Sequence, residues 1–394
     1  MSGTGERLRS LIAEEIRRSG PISFERFMER ALYEPGLGYY ATRRSERGPG
    51  VDYHTSPQVG SIFARLLAAQ IEECRRRLGD PDPFSIVEFG AGSLQLARGI
   101  TAHVAGQSSG PRQARYLAVE LAGVTGGENA SVPLRTGPAG RSALPVSRVA
   151  EQEALAALAD GGAVVISNEF VDALPVRRFI MRSGKLREIR VGILQAPAGA
   201  APRGESPRFA EVEQELEPRE AERLVAGIPE LAEGFQFEIN ARGRTWMERV
   251  AGALSHGFVI TFDYGYRRSE RFRPEHASGT LLGYFRNRLE HDLFTRVGEQ
   301  DLTSHVDYDD LIEAGNRHGL CCLGLTDQMR FLTALARRLG LLEQEPESAA
   351  QWRERLAFKE LIRPGGMGTA FRVLIQATAQ SLGPLTGLED PFAR

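Results

Sequence analysis

Cysteine is scarce in this chain: three in 394 residues, at positions 74, 321 and 322. So few fit a reducing compartment better than a disulfide framework. No cluster of His and Cys stands at ligand spacing, so no metal site is expected. Cys321 and Cys322 lie inside the apolar run Leu320 to Leu325 and read as core thiols of a strand. Long apolar runs are also missing. Nothing approaches the roughly 20 residues of a membrane span, so no membrane insertion is expected. The N-terminus carries Glu6, Glu14 and Glu15 and has no apolar core, so it reads as neither signal nor transit peptide, and a cytoplasmic enzyme is the expectation. A surplus of one charge is lacking as well. With 49 basic and 51 acidic residues the formal net charge is −2, which gives no overall field to hold nucleic acid, and no nucleic-acid partner is expected.

What is present is ordinary globular material, 42% hydrophobic and 25% charged. Its length suits one large α/β domain with additions, or two domains. Leu8, Leu11, Ile12 and Ile16 recur at helical spacing, and Ile22-Ser23 opens a capped second helix that runs to Leu32. Tyr33 to Arg44, with glycines at 36 and 38 and the pair Tyr39-Tyr40, suits a loop folded over something flat, or a surface turn with one Tyr packed inward. Thr55 and Ser56 precede the amphipathic helix Ile62 to Leu78. They can cap it or present hydroxyls and amides to a carboxylate.

Phe84 to Phe89 reads as a strand, followed by Gly90-Ala91-Gly92-Ser93 and a helix holding Leu94, Leu96, Ala97 and Ile100. The next strand, Tyr116 to Val119, ends in Glu120, placed to accept both hydroxyls of a ribose. Leu94 stands where a third glycine would suit a pyrophosphate, which lowers the dinucleotide reading. Residues 121–150 read as irregular connection, and Arg177 to Ile193 as a hairpin about Ser183-Gly184.

Ala163 to Ile166 has the length and branching of a buried strand, and Asn168-Glu169 and Asp172 crowd its carboxyl end. That is where an open parallel sheet binds ligands. An amide and two carboxylates there suit a cationic or amine substrate, or a polar loop whose acids cap the next helix. Phe258 to Asp263 is a further core strand, so Glu88, Glu120, Glu169 and Asp263 all stand at strand ends. His305 lies between Asp301 and Asp307. Acids so near are expected to raise its pKa and give it base character, unless Ser304 or Asp307 merely caps a helix beside a half-buried ring.

Taken in order, these stretches resemble the MidA-type family of class I S-adenosylmethionine-dependent methyltransferases, from about Pro21 to Gln376. Gly38-Tyr39-Tyr40 and Asp52 to Pro57 match its N-terminal motifs. Asn168 to Val176 is similar to NEFFDALPV with Val171 for the second Phe. Phe262 to Gly265 is similar to ADYG, Gly279 to Leu281 to GTL, and Asp301 to Asp307 to DLTAHVD.

The resemblance implies an α/β fold with a Rossmann-like methyltransferase sheet, mostly parallel with its last strand antiparallel. The expected organisation is a helical cap over 1–80, a core over 81–191 and 255–380, and an inserted segment over 192–254. S-adenosyl-L-methionine would sit on Glu88, Gly90, Ala91, Gly92 and Glu120, with Thr55 and Ser56 beside it. Asn168, Glu169, Asp172 and His305 are the candidate catalytic residues. The implied reaction is methylation of arginine in a protein substrate, of the kind represented by a respiratory NADH–quinone oxidoreductase subunit. Departures include Leu94 for glycine, Gln58 for the acid after Ser-Pro, and Gly123, Gly126 and Gly127 after Glu120. They leave a second reading, an assembly or binding protein that keeps the fold without the chemistry.

Overall fold

Seven apolar stretches pair into a central sheet: β1 (Phe84–Phe89), β2 (Ala114–Val119), β3 (Val146–Val149), β4 (Gly162–Asn168), β5 (Gly257–Tyr266), β6 (Cys321–Asp327) and β7 (Phe371–Ala377). The structure is a computed structural model and describes residues 3–42, 61–104, 114–121, 131–132, 144–194, 206–286 and 288–393. Thr55, Ser56 and the rest of the Asp52 to Pro57 motif lie outside the described residues. Across the sheet the order is β6-β7-β5-β4-β1-β2-β3, with Ser131–Val132 on the outer edge. Strands β1 to β5 run parallel, and β7 runs antiparallel to both β5 and β6. This is the mixed, mostly parallel sheet implied by the resemblance.

Every residue of β1 and β4 is buried, as both faces of the sheet are covered. On one face Ile86, Val164 and Ile260 pack against α3 (Ser61–Arg77), α4 (Gln95–Val104), α8 (Gln328–Arg338) and α9 (Ala349–Leu361). On the other Val87, Val165 and Val259 meet α5 (Glu151–Leu158), α6 (Ala241–Ala253) and α7 (Tyr308–Arg317). Period-two alternation along each strand thus feeds two separate cores.

Two sequence expectations change. Residues 121–150 are not wholly irregular: they supply the edge strand and β3, a four-residue stretch too short for alternation to declare it. Cys321 and Cys322 do lie in a strand, but β6 is the edge of the sheet and both are only half-buried.

A second, antiparallel sheet stands beside the first. Its hairpin Arg177–Arg182 and Lys185–Ile193 turns at Ser183 and Gly184, whose φ values of 52° and 70° suit the twist of the strands. Phe209–Glu215 pairs with one side, and Gln236–Ile239 with the other. Ile22 and Ser23 pair with Val191 and Arg190, which ties α1 (Gly3–Ser19) and α2 (Phe24–Tyr33) to this sheet. The Ser23 hydroxyl caps α2 by accepting from the Arg26 amide. Among the described residues no helix is long and apolar enough to cross a membrane, and no group of His, Cys, Asp and Glu could hold a metal ion.

Candidate functional site

At the end of β4 the chain turns sharply. Glu169 has φ 52°, a left-handed conformation costly for a residue with a Cβ. The turn persists because its surroundings over-determine it. The Glu169 amide donates to the Phe262 carbonyl at 3.0 Å. Asp263 Oδ2 accepts from the amides of Val171 at 2.9 Å and Asp172 at 3.2 Å, and Oδ1 from Tyr264 at 2.9 Å. Asn240, at the start of α6, donates to the Val171 carbonyl, and the Tyr33 hydroxyl to that of Ala173, both at 2.8 Å. The Ser304 amide donates to the Asp172 carbonyl at 2.9 Å. Residues from four separate segments therefore hold one eight-residue loop.

Within it, Asn168 Nδ2 donates to Glu169 Oε1 at 3.0 Å. The Oδ1 atoms of Asn168 and Asp172 are buried and have no hydrogen-bond partner among the described residues. Burial is the main cause that pushes the Asp172 carboxyl well above the ordinary carboxylate range, and the nearby Asp263 and Asp301 add to it. Burial also raises Asp263, against the pull of its three amides. With no such set of amides, Asp172 is the member of this acid pair that holds a proton.

His305 is not the base the sequence suggested. Its ring lies against Tyr264 (centroids 6.0 Å apart) and Tyr266 (5.2 Å), and its Nδ1 is buried without a partner among the described residues. Burial and then the Arg271 charge lower its pKa to about 4, so the ring is neutral and a weak base. The flanking acids act elsewhere: Asp301 accepts from the Tyr40 hydroxyl at 2.8 Å, and Asp307 caps α7.

On the other side, β1 runs into a turn with Gly90 at φ 75°, Gly92 at 51° and Leu94 at 62°. A Cβ on Gly90 would lie 2.9 Å from the Phe170 ring, so only glycine fits. Leu94 keeps a glycine-like backbone and packs its side chain into the core beneath α3 and α4. Glu120, at the tip of β2, lies 3.5 Å from Arg148 Nη1, and Arg148 Nη2 donates to the Gly92 carbonyl at 2.6 Å. Arg148 thus joins the two halves of the candidate cofactor site, and sequence reasoning missed it because it lies in the stretch read as connection. A cleft of about 430 Å³ opens beside Glu120, lined by Phe89, Val119, Glu120, Phe170 and Trp246, and by Tyr33 from α2. Glu88 points elsewhere: it is 4% exposed and accepts from the Tyr116 hydroxyl at 2.7 Å. Burial raises its pKa to about 7.

The structure therefore gathers Gly90, Ala91, Gly92 and Glu120 at one end and Asn168, Glu169 and Asp172 at the other. It sets apart the ring of His305 and turns Glu88 inward. Tyr33, Tyr40 and Asp301 join the second group. The sequence signal for them was Tyr39-Tyr40 beside glycines and the Asp301 to Asp307 stretch, without a hint that the two meet.

A sheet with β7 antiparallel, a glycine turn after β1 and a carboxylate at the tip of β2 define a Rossmann-like enzyme of the nucleoside-binding class. Residues 66–326 match the family described as "putative S-adenosyl-L-methionine-dependent methyltransferase". The chain belongs to this family, and its cofactor is S-adenosyl-L-methionine. It is similar to the mitochondrial protein arginine methyltransferase NDUFAF7 homolog of Drosophila melanogaster, 25% identical over 95% of this chain and 85% of that one. The mitochondrial protein arginine methyltransferase NDUFAF7 of Homo sapiens is 24% identical over 91% and 80%. A crystal structure from Burkholderia thailandensis, bound to S-adenosyl-homocysteine, superposes with a TM-score of 0.78 at 29% identity, covering 98% of this chain and 95% of that one. These relatives correct the expectation of a cytoplasmic location, since those with curated names are mitochondrial proteins.

Proposed function

We propose that the protein transfers methyl groups to arginine side chains of a protein substrate. The observation that carries this reading is the pair of buried oxygens on Asn168 and Asp172, beside Glu169, that have no hydrogen-bond partner among the described residues. A guanidinium brings five donors and no acceptor, and so suits a cluster of acceptor oxygens. The names of the curated relatives support the same substrate class. The resemblance to the MidA-type family extends the proposal to a subunit of a respiratory NADH–quinone oxidoreductase as acceptor.

The backbone of Gly90, Ala91 and Gly92 and the Glu120 carboxylate would hold the cofactor, the glycine turn allowing close approach and the acid accepting from hydroxyls. When bound, S-adenosyl-L-methionine supplies a methyl group on a positively charged sulfur, and transfer to nitrogen leaves S-adenosyl-homocysteine. Free arginine has a pKa above 12, and removing its proton at pH 7 costs about 7–8 kcal/mol. Prior deprotonation is therefore disfavoured. Glu169 instead holds the guanidinium by its N–H donors, turns one nitrogen toward the methyl group, and stands ready for the proton released as the bond forms. Placement and exclusion of water supply most of the rate.

The left-handed backbone of Leu94 supports an active enzyme over a binding protein, because the turn keeps the shape glycine would give it. Purified protein with radiolabelled cofactor and mitochondrial lysate should yield labelled methylarginine after hydrolysis of the acceptor. Glu169→Gln should abolish transfer and leave cofactor affinity within a few-fold. An equal loss of both removes the catalytic role from Glu169.

A further inference from the structure

One face of a single helix walls the cleft beside Glu120. Arg242, Thr245, Trp246 and Arg249 all line it, and steps of three, four and seven residues put them on the same side of α6. The tip of β2 and Glu151, at the start of α5, line the same cleft. Trp246 is 2% exposed, and its ring meets those of Phe89 and Phe170 edge to face, with centroids 5.5 and 5.4 Å away. Its Nε1 is buried and has no hydrogen-bond partner among the described residues. A buried donor without an acceptor is costly, so one kept in the wall of a cleft marks the place of an acceptor that arrives from outside.

The other lining residues say what kind of acceptor that is. A guanidinium carries donors alone, so the substrate arginine cannot answer an indole N–H. A carboxylate or phosphate is an acceptor, but in this cleft it meets Glu25, Glu29, Glu120 and Glu151. The two cationic residues of the lining are already engaged with those acids. Arg242 holds Glu25 at 2.9 Å and Glu29 at 2.8 Å, and Arg249 lies 2.9 Å from Glu151. A neutral, flat acceptor that rests against aromatic side chains is left, and a purine base has that chemistry. The volume of about 430 Å³ is that of a small-molecule site.

We propose that this cleft seats the adenine of the cofactor and that Trp246 donates its indole N–H to a ring nitrogen of the base. This rests on the placement of the ribose hydroxyls on Glu120, which puts the attached base in the same cleft. Trp246 is thus a cofactor-reading residue supplied by α6 rather than by a strand tip.

The test is calorimetry on the full chain with S-adenosyl-homocysteine and three analogues in which N1, N3 or N7 of the adenine is replaced by C–H. At least one analogue should bind wild type about 3- to 30-fold more weakly than the parent. Trp246→Phe keeps a ring against Phe89 and Phe170 but has no N–H. It should weaken the parent by a similar factor and bind that analogue as well as the parent, the signature of a shared hydrogen bond. Equal affinity for all four ligands in wild type, or a deficit that persists undiminished in folded Trp246→Phe, overturns the proposal and leaves cofactor binding standing. If Trp246→Phe does not unfold cooperatively in urea, Trp352→Phe decides. Trp352 is 51% exposed and is the second of two tryptophans, so its removal leaves Trp246 as the sole emitter. S-adenosyl-homocysteine should change that emission with the calorimetric Kd, and unchanged emission at saturation overturns the proposal. Glu120→Ala should weaken the parent ligand by about 10-fold or more. Unchanged affinity there removes the ribose from Glu120 and the base proposal with it.

Discussion

Leu94 and Glu169 are the two non-glycine residues that hold left-handed backbones at the tips of the central strands β1 and β4. At Leu94 two effects oppose each other. A glycine there would relieve about 1 kcal/mol of backbone strain. It would also remove a buried leucine side chain, worth about 2–5 kcal/mol. Burial wins, so Leu94→Gly should destabilise the protein by about 1–4 kcal/mol in denaturant unfolding while leaving cofactor affinity near wild type. This residue was visible in the sequence as a departure, and its meaning was not. A substitution reads as a loss until φ shows that the backbone has kept its shape.

At the scale of elements, the loop after β4 is shaped by what grips it, and Asp263 grips it hardest. Three amides, those of Val171, Asp172 and Tyr264, depend on its two oxygens. Each buried N–H left without an acceptor costs about 1–3 kcal/mol. Asp263→Ala should therefore cost at least about 3 kcal/mol in urea unfolding and abolish methyl transfer, because Asn168, Glu169 and Asp172 lose their frame. A stability loss under about 1 kcal/mol would remove Asp263 from this role. The strands themselves were legible because Phe84–Phe89 and Ala163–Ile166 are apolar runs bounded by turn residues. The acids at their tips were legible too, and so was the antiparallel β7. What one chain of letters did not carry was side-chain direction. Glu88 and Glu120 look alike at the ends of adjacent strands, but Glu88 lies one residue before the tip and alternation turns it inward to Tyr116. His305 sits between two acids in sequence, but its ring lies against Tyr264 and Tyr266 while Asp301 takes the Tyr40 hydroxyl and Asp307 caps α7.

For the whole molecule, the inward turn of Glu88 sets a dependence of stability on pH. Its folded pKa of about 7 lies above its ordinary 4.5. Between those values the folded chain holds a proton that the unfolded chain has lost, so folding takes one up and stability falls as pH rises through this window. The full span is worth on the order of 3 kcal/mol. Thermal unfolding of the cofactor-free protein should show a lower Tm at pH 7.5 than at pH 5, and Glu88→Gln, which still accepts from Tyr116, should flatten that slope. An unchanged slope in the variant would assign the effect to the Asp172 and Asp263 pair.

The N-terminal helices also set an order of events during synthesis. Arg9 is anchored on the carbonyls of Phe294 and Thr295, the latter at 2.6 Å and 286 residues further along. A ribosome adding about 5–20 residues per second needs about 15–60 s to cover that interval. Through that time α1 and α2 can reach only part of their packing surface, the second sheet at Val176, Val191 and Phe209. Tyr33 and Tyr40 ride on this segment, so their bonds to Ala173 and Asp301 form only after residue 301 has left the exit tunnel.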